Sequence, residues 1–168
     1  MAARLIPAGL VLGALLGACS PAGAQITPTA TPLPRNQLQQ RYLAAAKTYN
    51  AGESAIQQAE SQYCSPASAT ADLTHCETAL SNDRQETIAF DRAVRAITFP
   101  ASAGGLVAQL LSDDSKLENV LEQAAISPSL SAINALTPQI LQLLTNASRD
   151  AVAVRSAIGL SSTSTPAA

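Results

Sequence analysis

The strongest constraint on this chain is a seam of apolar and small residues that recurs at alternating steps of four and three. Leu38, Tyr42, Ala45, Tyr49, Gly52, Ile56, Ala59 and Tyr63 keep that spacing without a slip. An average step of three and a half residues holds one face of a helix against a partner, so the spacing predicts a long packed helix from about Asn36 to Tyr63. Ser65-Pro66-Ala67-Ser68 breaks the pattern.

Three further helices are predicted downstream. Asp72 is placed to N-cap the second, which runs to about Thr98 with Cys76, Leu80, Phe90, Val94 and Ile97 on its apolar side. Phe99-Pro100 ends it, because a residue before proline is pushed out of the α region. The third spans roughly Ala103 to Ala125 and gathers Leu106, Leu110, Leu117, Val120, Leu121 and Ala124, with Gly104-Gly105 read as loop punctuation near its start. Ser127 and Pro128 are expected at the N-cap and first position of the fourth. Ile133, Leu136, Ile140, Leu143, Leu144, Ala147, Ala151, Val154 and Ile158 form one stripe of that helix. Pro138 projects opposite the stripe and either bends one helix or divides two.

Short connections between long helices favour antiparallel neighbours. The expected fold is therefore all-α, an antiparallel up-down-up-down four-helix bundle over 36–159, with no second domain. Composition agrees: 34 residues are alanine, 13% are charged and 3% are aromatic. Alanine has the highest helix propensity and lets helices approach closely, so the core should be slim. A net charge of −2 argues against nucleic acid as a partner.

The first residues carry an address. Met1-Ala2-Ala3-Arg4 supplies one positive charge, and Leu5 to Leu16 is apolar apart from Pro7, Gly9 and Gly13. That run suits a signal-peptide core and is too short to span a bilayer. Leu16-Gly17-Ala18-Cys19 follows directly and resembles the lipobox of bacterial lipoproteins. The resemblance implies a signal peptide over 1–18, a diacylglycerol on Cys19, and a location on a bacterial cell or outer membrane, facing the periplasm or exterior. Two or more acyl chains on Cys19 would anchor stably to membrane lipid, where one would not. Ala22-Gly23-Ala24 is an alternative cleavage site that would release a soluble protein starting at Gln25. Pro21, Pro28, Pro32 and Pro34 make 19–35 a semi-extended tether, and 160–168 is expected to be a frayed tail.

Export places the chain in an oxidising compartment, so Cys64 and Cys76 are expected to form a disulfide. A metal or redox pair is the weaker reading, because the spacing is not C-x-x-C and His75 is the only histidine. With its bridged first connection, the alanine-rich bundle looks like the helical lipoproteins of bacteria, which implies a fold and no activity.

Catalytic patterns are missing from the sequence. There is no His-Glu-x-x-His, no haem motif and no glycine-rich phosphate loop. Asp72-Leu73-Thr74-His75 reads as a helix cap, and Glu118 with Glu122 as a solvated face. No enzyme, metal or cofactor is expected.

One coincidence remains. Counting along antiparallel helices puts Tyr49, Thr87, Asp113 and Asp114 at one height, with Thr137 and Pro138 level, Asp83 a turn away and Gly52 leaving space. Such a layer fixes helix register through paired polar groups, with Arg84, Lys47 or Lys116 as counter-charge, or it lines a small ligand pocket. Two functions follow. The first is a non-enzymatic envelope lipoprotein with a protein-interaction or structural role. The second is a bundle that binds a small molecule or cation at the polar layer.

Overall fold

The structure, a computed structural model, describes residues 33–161. Cys19, the signal peptide, the alternative site at Ala24, and most of the tether and tail lie outside the described residues. Among the described residues the regular structure is all helical, with no strand: α1 (Arg35–Tyr63), α2 (Leu73–Arg95), α3 (Ala101–Ala125) and α4 (Leu130–Ala157). None of these helices is long and apolar enough to cross a membrane.

Each helix packs against the next in sequence, α1 on α2, α2 on α3 and α3 on α4. No comparably extensive contact joins α1 to α4. Those two meet where α1 begins and α4 ends. There the Tyr42 hydroxyl donates to the Ala151 carbonyl at 3.4 Å, and Gln39 Nε2 donates to the Ile158 carbonyl at 2.9 Å. Arg35 Nε reaches that same Ile158 carbonyl at 3.3 Å.

The Cys64–Cys76 disulfide is present, with its Cα atoms 4.9 Å apart. It joins the end of α1 to the first turn of α2, where Asp72 N also donates to the Tyr63 carbonyl at 3.0 Å. The Tyr63 and His75 rings stack beside the bridge at 4.7 Å. Asp72 caps α2 as its sequence position predicts, accepting from His75 N at 2.8 Å.

The other helix ends differ in detail. α2 stops at Arg95 rather than near Thr98, because the chain must leave the helix before the restricted residue ahead of Pro100. Ile97 then tucks into the core through its backbone bond to Val94. α3 starts at Ala101, so Gly104 and Gly105 lie inside a helix rather than in a loop. Both are exposed with open space around them, and burial of Ala103 and Val107 offsets their low helix propensity. Ser127 is not a cap: its hydroxyl donates to the Gln123 carbonyl at 2.9 Å and closes α3. Ser129 caps α4 instead, because its backbone is extended and its hydroxyl meets Ala132 N at 3.2 Å. α4 runs unbroken past Pro138, whose ring is on the exposed side.

The core divides in two. One apolar cluster contains Leu38, Tyr42, Val94, Ile97, Ala103, Val107, Leu110, Val154 and Ile158. The other contains Cys76, Leu80, Leu117, Val120, Leu121, Ala124, Ile133, Ile140 and Leu143. Leu106, expected in the stripe of α3, is 38% exposed, since Ala103, Val107 and Leu110 take the inward face. Along α2, α3 and α4 the two clusters are separated by buried polar residues: Asp83, Thr87 and Asp91, then Asp113 and Asp114, then Asp150. Five of the six aspartates of the chain are buried in this band.

Candidate functional site

Loose approach of α1 to α4 leaves a cleft of about 370 Å³ at the height of the polar band. Four helices line it. Tyr42, Tyr49 and Glu53 come from α1, Thr87 and Phe90 from α2, Leu110 and Asp114 from α3, and Ala147, Ala151 and Arg155 from α4. Of the four residues read from the sequence as one layer, the cleft brings together Tyr49, Thr87 and Asp114.

Asp113 is not among the lining residues. Successive helical residues diverge by about 100°, so two neighbouring aspartates cannot face the same point. The Asp113 carboxylate is held by Lys116 and accepts from Gln109 Nε2 at 3.1 Å. Lys116, with Gln109 assisting, keeps it below the usual carboxylate range.

Aromatic rings form one wall. Tyr49 packs on Phe90 at 5.4 Å between ring centres, and Tyr42 meets the same ring edge-on at 6.4 Å. Burial pushes the Tyr42 hydroxyl up to about 12, with the Arg155 charge opposing it. Burial raises Tyr49 further, and the carboxylates of Glu53, Asp83 and Asp114 add to it while a hydrogen bond with Thr87 opposes. Both tyrosines are therefore neutral donors at physiological pH. Thr87 donates to the Asp83 carbonyl at 3.1 Å, one turn back in its own helix.

Carboxyl groups form the floor. Asp114 is 4% exposed, and its Oδ2 receives no hydrogen bond from an N–H or hydroxyl donor. Burial, then the adjacent Asp91 carboxyl, pushes Asp114 up to about 8. Asp91 is raised by burial as well, against the opposing pull of Arg95, which bonds it at 2.9 Å. Next to this pair, burial and the carboxylates of Glu53 and Glu60 bring Asp83 up to about 8. Glu60 reaches about 7 for the same reasons, burial first and Glu53 second. Two groups of acids thus hold protons at neutral pH because several buried carboxylates cannot all be charged.

The remaining expectations about the layer divide. Lys116 serves as a counter-charge, whereas Arg84 pairs with Glu122 at 3.3 Å and Lys47 is exposed. The space at Gly52 lies on the α2 side and is filled by the Glu86 side chain, 2.7 Å from where a Cβ would stand. Thr137 and Pro138 do not line the cleft. Asp91, Glu53, Phe90 and Arg155 were missed. Asp91 had a signal, as it continues the four-residue spacing of Asp83 and Thr87. Arg155 had none, since its inward turn depends on how α4 is rotated against α3.

Among the described residues no three His, Cys, Asp or Glu side chains converge as a metal site. Comparison with known proteins finds no matching family model, no matching curated sequence and no matching solved structure, so the cleft is interpreted from its own geometry.

Proposed function

We propose that this chain is a non-enzymatic lipoprotein of the bacterial envelope, anchored through Cys19, whose helical bundle binds a small molecule in the cleft between α1 and α4. The observation that carries the binding role is the convergence of Tyr49, Thr87 and Asp114 from three helices on one cavity of about 370 Å³. Pockets of that size, with apolar walls and a few fixed polar groups, suit small ligands. The anchor rests on the signal-peptide pattern and Leu16-Gly17-Ala18-Cys19. We read the four helices as an antiparallel up-down-up-down bundle, supported by packing between sequence neighbours and by short connections at 64–72, 96–100 and 126–129.

Two measurements test this reading. Mass spectrometry of the mature N-terminus should find a diacylated Cys19, and an unmodified Gln25 start would overturn the anchor. A small-molecule extract of bacterial envelopes should raise the melting temperature of the purified protein and leave an Ala147→Phe variant, with its cleft filled, unmoved. An equal shift in both would rule out the cleft.

A second role, contact with an envelope protein, is favoured by Leu141 and Val152. These are 59% and 42% exposed and share one face of α4 three turns apart. Pull-down from solubilised envelopes should then return a partner that a Leu141→Glu variant loses.

A further inference from the structure

We infer that the cleft takes a small organic ammonium ion, its cationic head set between Asp114 and the rings of Tyr49 and Phe90. The inference rests on the reading of the cleft as a small-molecule site and assigns its ligand class.

Three observations lead to it. The chain has only five aromatic residues, and three of them line this one cleft. Their ring faces carry the negative end of the aromatic quadrupole, which attracts a cation within about 6 Å, and quaternary ammonium groups are bound in cages of this kind. Asp114 lines the same space at 4% exposure, in hydrogen-bonding contact with the Asp91 carboxyl behind it, and Glu53 adds a second carboxyl group to the lining. A ligand that brings positive charge offsets carboxyl groups held out of water, which a neutral or anionic ligand does not.

The protein's own cations are engaged around the site. Arg95 bonds Asp91, and Lys116 bonds Asp113. Arg155 lines the cleft and acts on Tyr42, so the ammonium head belongs on the Tyr49 side of Asp114, away from that charge. An anion there would face Asp114 and Glu53 across the cleft, with Asp91 behind. A metal ion is disfavoured, as no three ligating side chains converge among the described residues.

Charge also sets the pH response. Asp114 faces Tyr42 and Tyr49 of α1, Asp91 of α2, and Asp113 and Glu118 on its own helix, while Arg155 of α4 lies across the cleft. Burial and these carboxyl neighbours keep Asp114 protonated to about 8. A bound ammonium favours the ionised form, so binding releases a proton and tightens as pH rises. The limit is about tenfold per pH unit below the free-state value.

Titration calorimetry of the full protein separates the possibilities with three probes of one shape: choline, neutral 3,3-dimethylbutan-1-ol and anionic 3,3-dimethylbutanoate. Choline is expected to bind at least about tenfold more tightly at pH 7.5 than at pH 5.5. It should release a proton, seen as a heat that varies with buffer ionisation enthalpy, and bind more tightly than either of the other two. Asp114→Asn, whose side chain imitates the protonated acid and whose folding is checked by melting, should remove the pH dependence and weaken choline about tenfold. Phe90→Leu should weaken choline and leave the alcohol unchanged. Alcohol or carboxylate binding as tightly as choline would overturn the ammonium assignment and leave the cleft as a small-molecule site. Absence of binding by all three, with the extract-induced shift intact, would do the same. If the extract shift also failed, both readings would fall.

Discussion

Asp91 of α2 and Asp114 of α3 hold their carboxyl groups in hydrogen-bonding contact, at 3% and 4% exposure, with Arg95 on the other oxygen of Asp91. Two buried carboxyls so close share a proton rather than carry two charges. The pair, with the Asp83 and Glu60 group beside it, makes the centre of the bundle sensitive to pH.

The sign follows from the raised values. Asp114 and Asp83 rise to about 8 and Glu60 to about 7, so the folded state keeps protons that the unfolded chain releases in the ordinary carboxylate range. Their contribution is complete below the unfolded values and is lost as pH climbs through 7 to 8. Asp113, held low by Lys116, acts oppositely and loses its contribution in strong acid. Melting temperature should therefore peak at about pH 4 and fall by about 5 °C or more by pH 8. Asp114→Asn should flatten that fall and raise the melting temperature at pH 8. A profile that rises from pH 5 to 8 would contradict the shared-proton arrangement.

Core and surface leucines on α3 should separate sharply. Leu121 is fully buried, so Leu121→Ala should cost about 2–5 kcal/mol through lost contacts and the cavity left behind. Leu106→Ala, at an exposed position of the same helix, should change stability by about 0.5 kcal/mol or less. Urea denaturation of both variants measures the contrast.

Reduction of Cys64–Cys76 should lower stability by about 3 kcal/mol, the loop-closure entropy of so short a span. Because the bridge joins α1 to α2, hydrogen exchange should rise first at Tyr63, Asp72 and their neighbours and later at Val94 or Val154.

Capping at the start of α4 has a clear test. Ser129→Ala should cost about 1 kcal/mol, as it removes the acceptor for Ala132 N. Ser127→Ala should cost less than Ser129→Ala, because Ser127 supplies no helix N-cap and only donates to a carbonyl already within α3. Thermal melts of the two variants settle which serine starts the helix.

Pro138 lies inside α4 and lacks an N–H for the helical ladder. With its ring exposed, Pro138→Ala should raise stability by about 1–3 kcal/mol, read as an increase in denaturation midpoint.

Local information by itself determined the helices. The four-three spacing from Leu38 to Tyr63 marks α1, Asp72 starts α2 with its own side chain, and Pro100 ends what precedes it; each acts within a turn or two. The disulfide between Cys64 and Cys76 is anticipated from the oxidising compartment that the export pattern implies, not from any fold contact. Counting residues also brought Tyr49, Thr87 and Asp114 to one height, because rise per residue is constant in a helix. Height is not direction. Only the tertiary structure decided which way each helix is rotated, and with it that Asp114 opens on the cleft while Asp113 turns to Lys116. The same rotations set Leu106 outward, Arg155 inward and the Gly52 gap under Glu86. The looser approach of α1 to α4, which makes the cleft, belongs to no single segment. It arises where partners far apart in sequence pack, and neither helix carries that geometry alone.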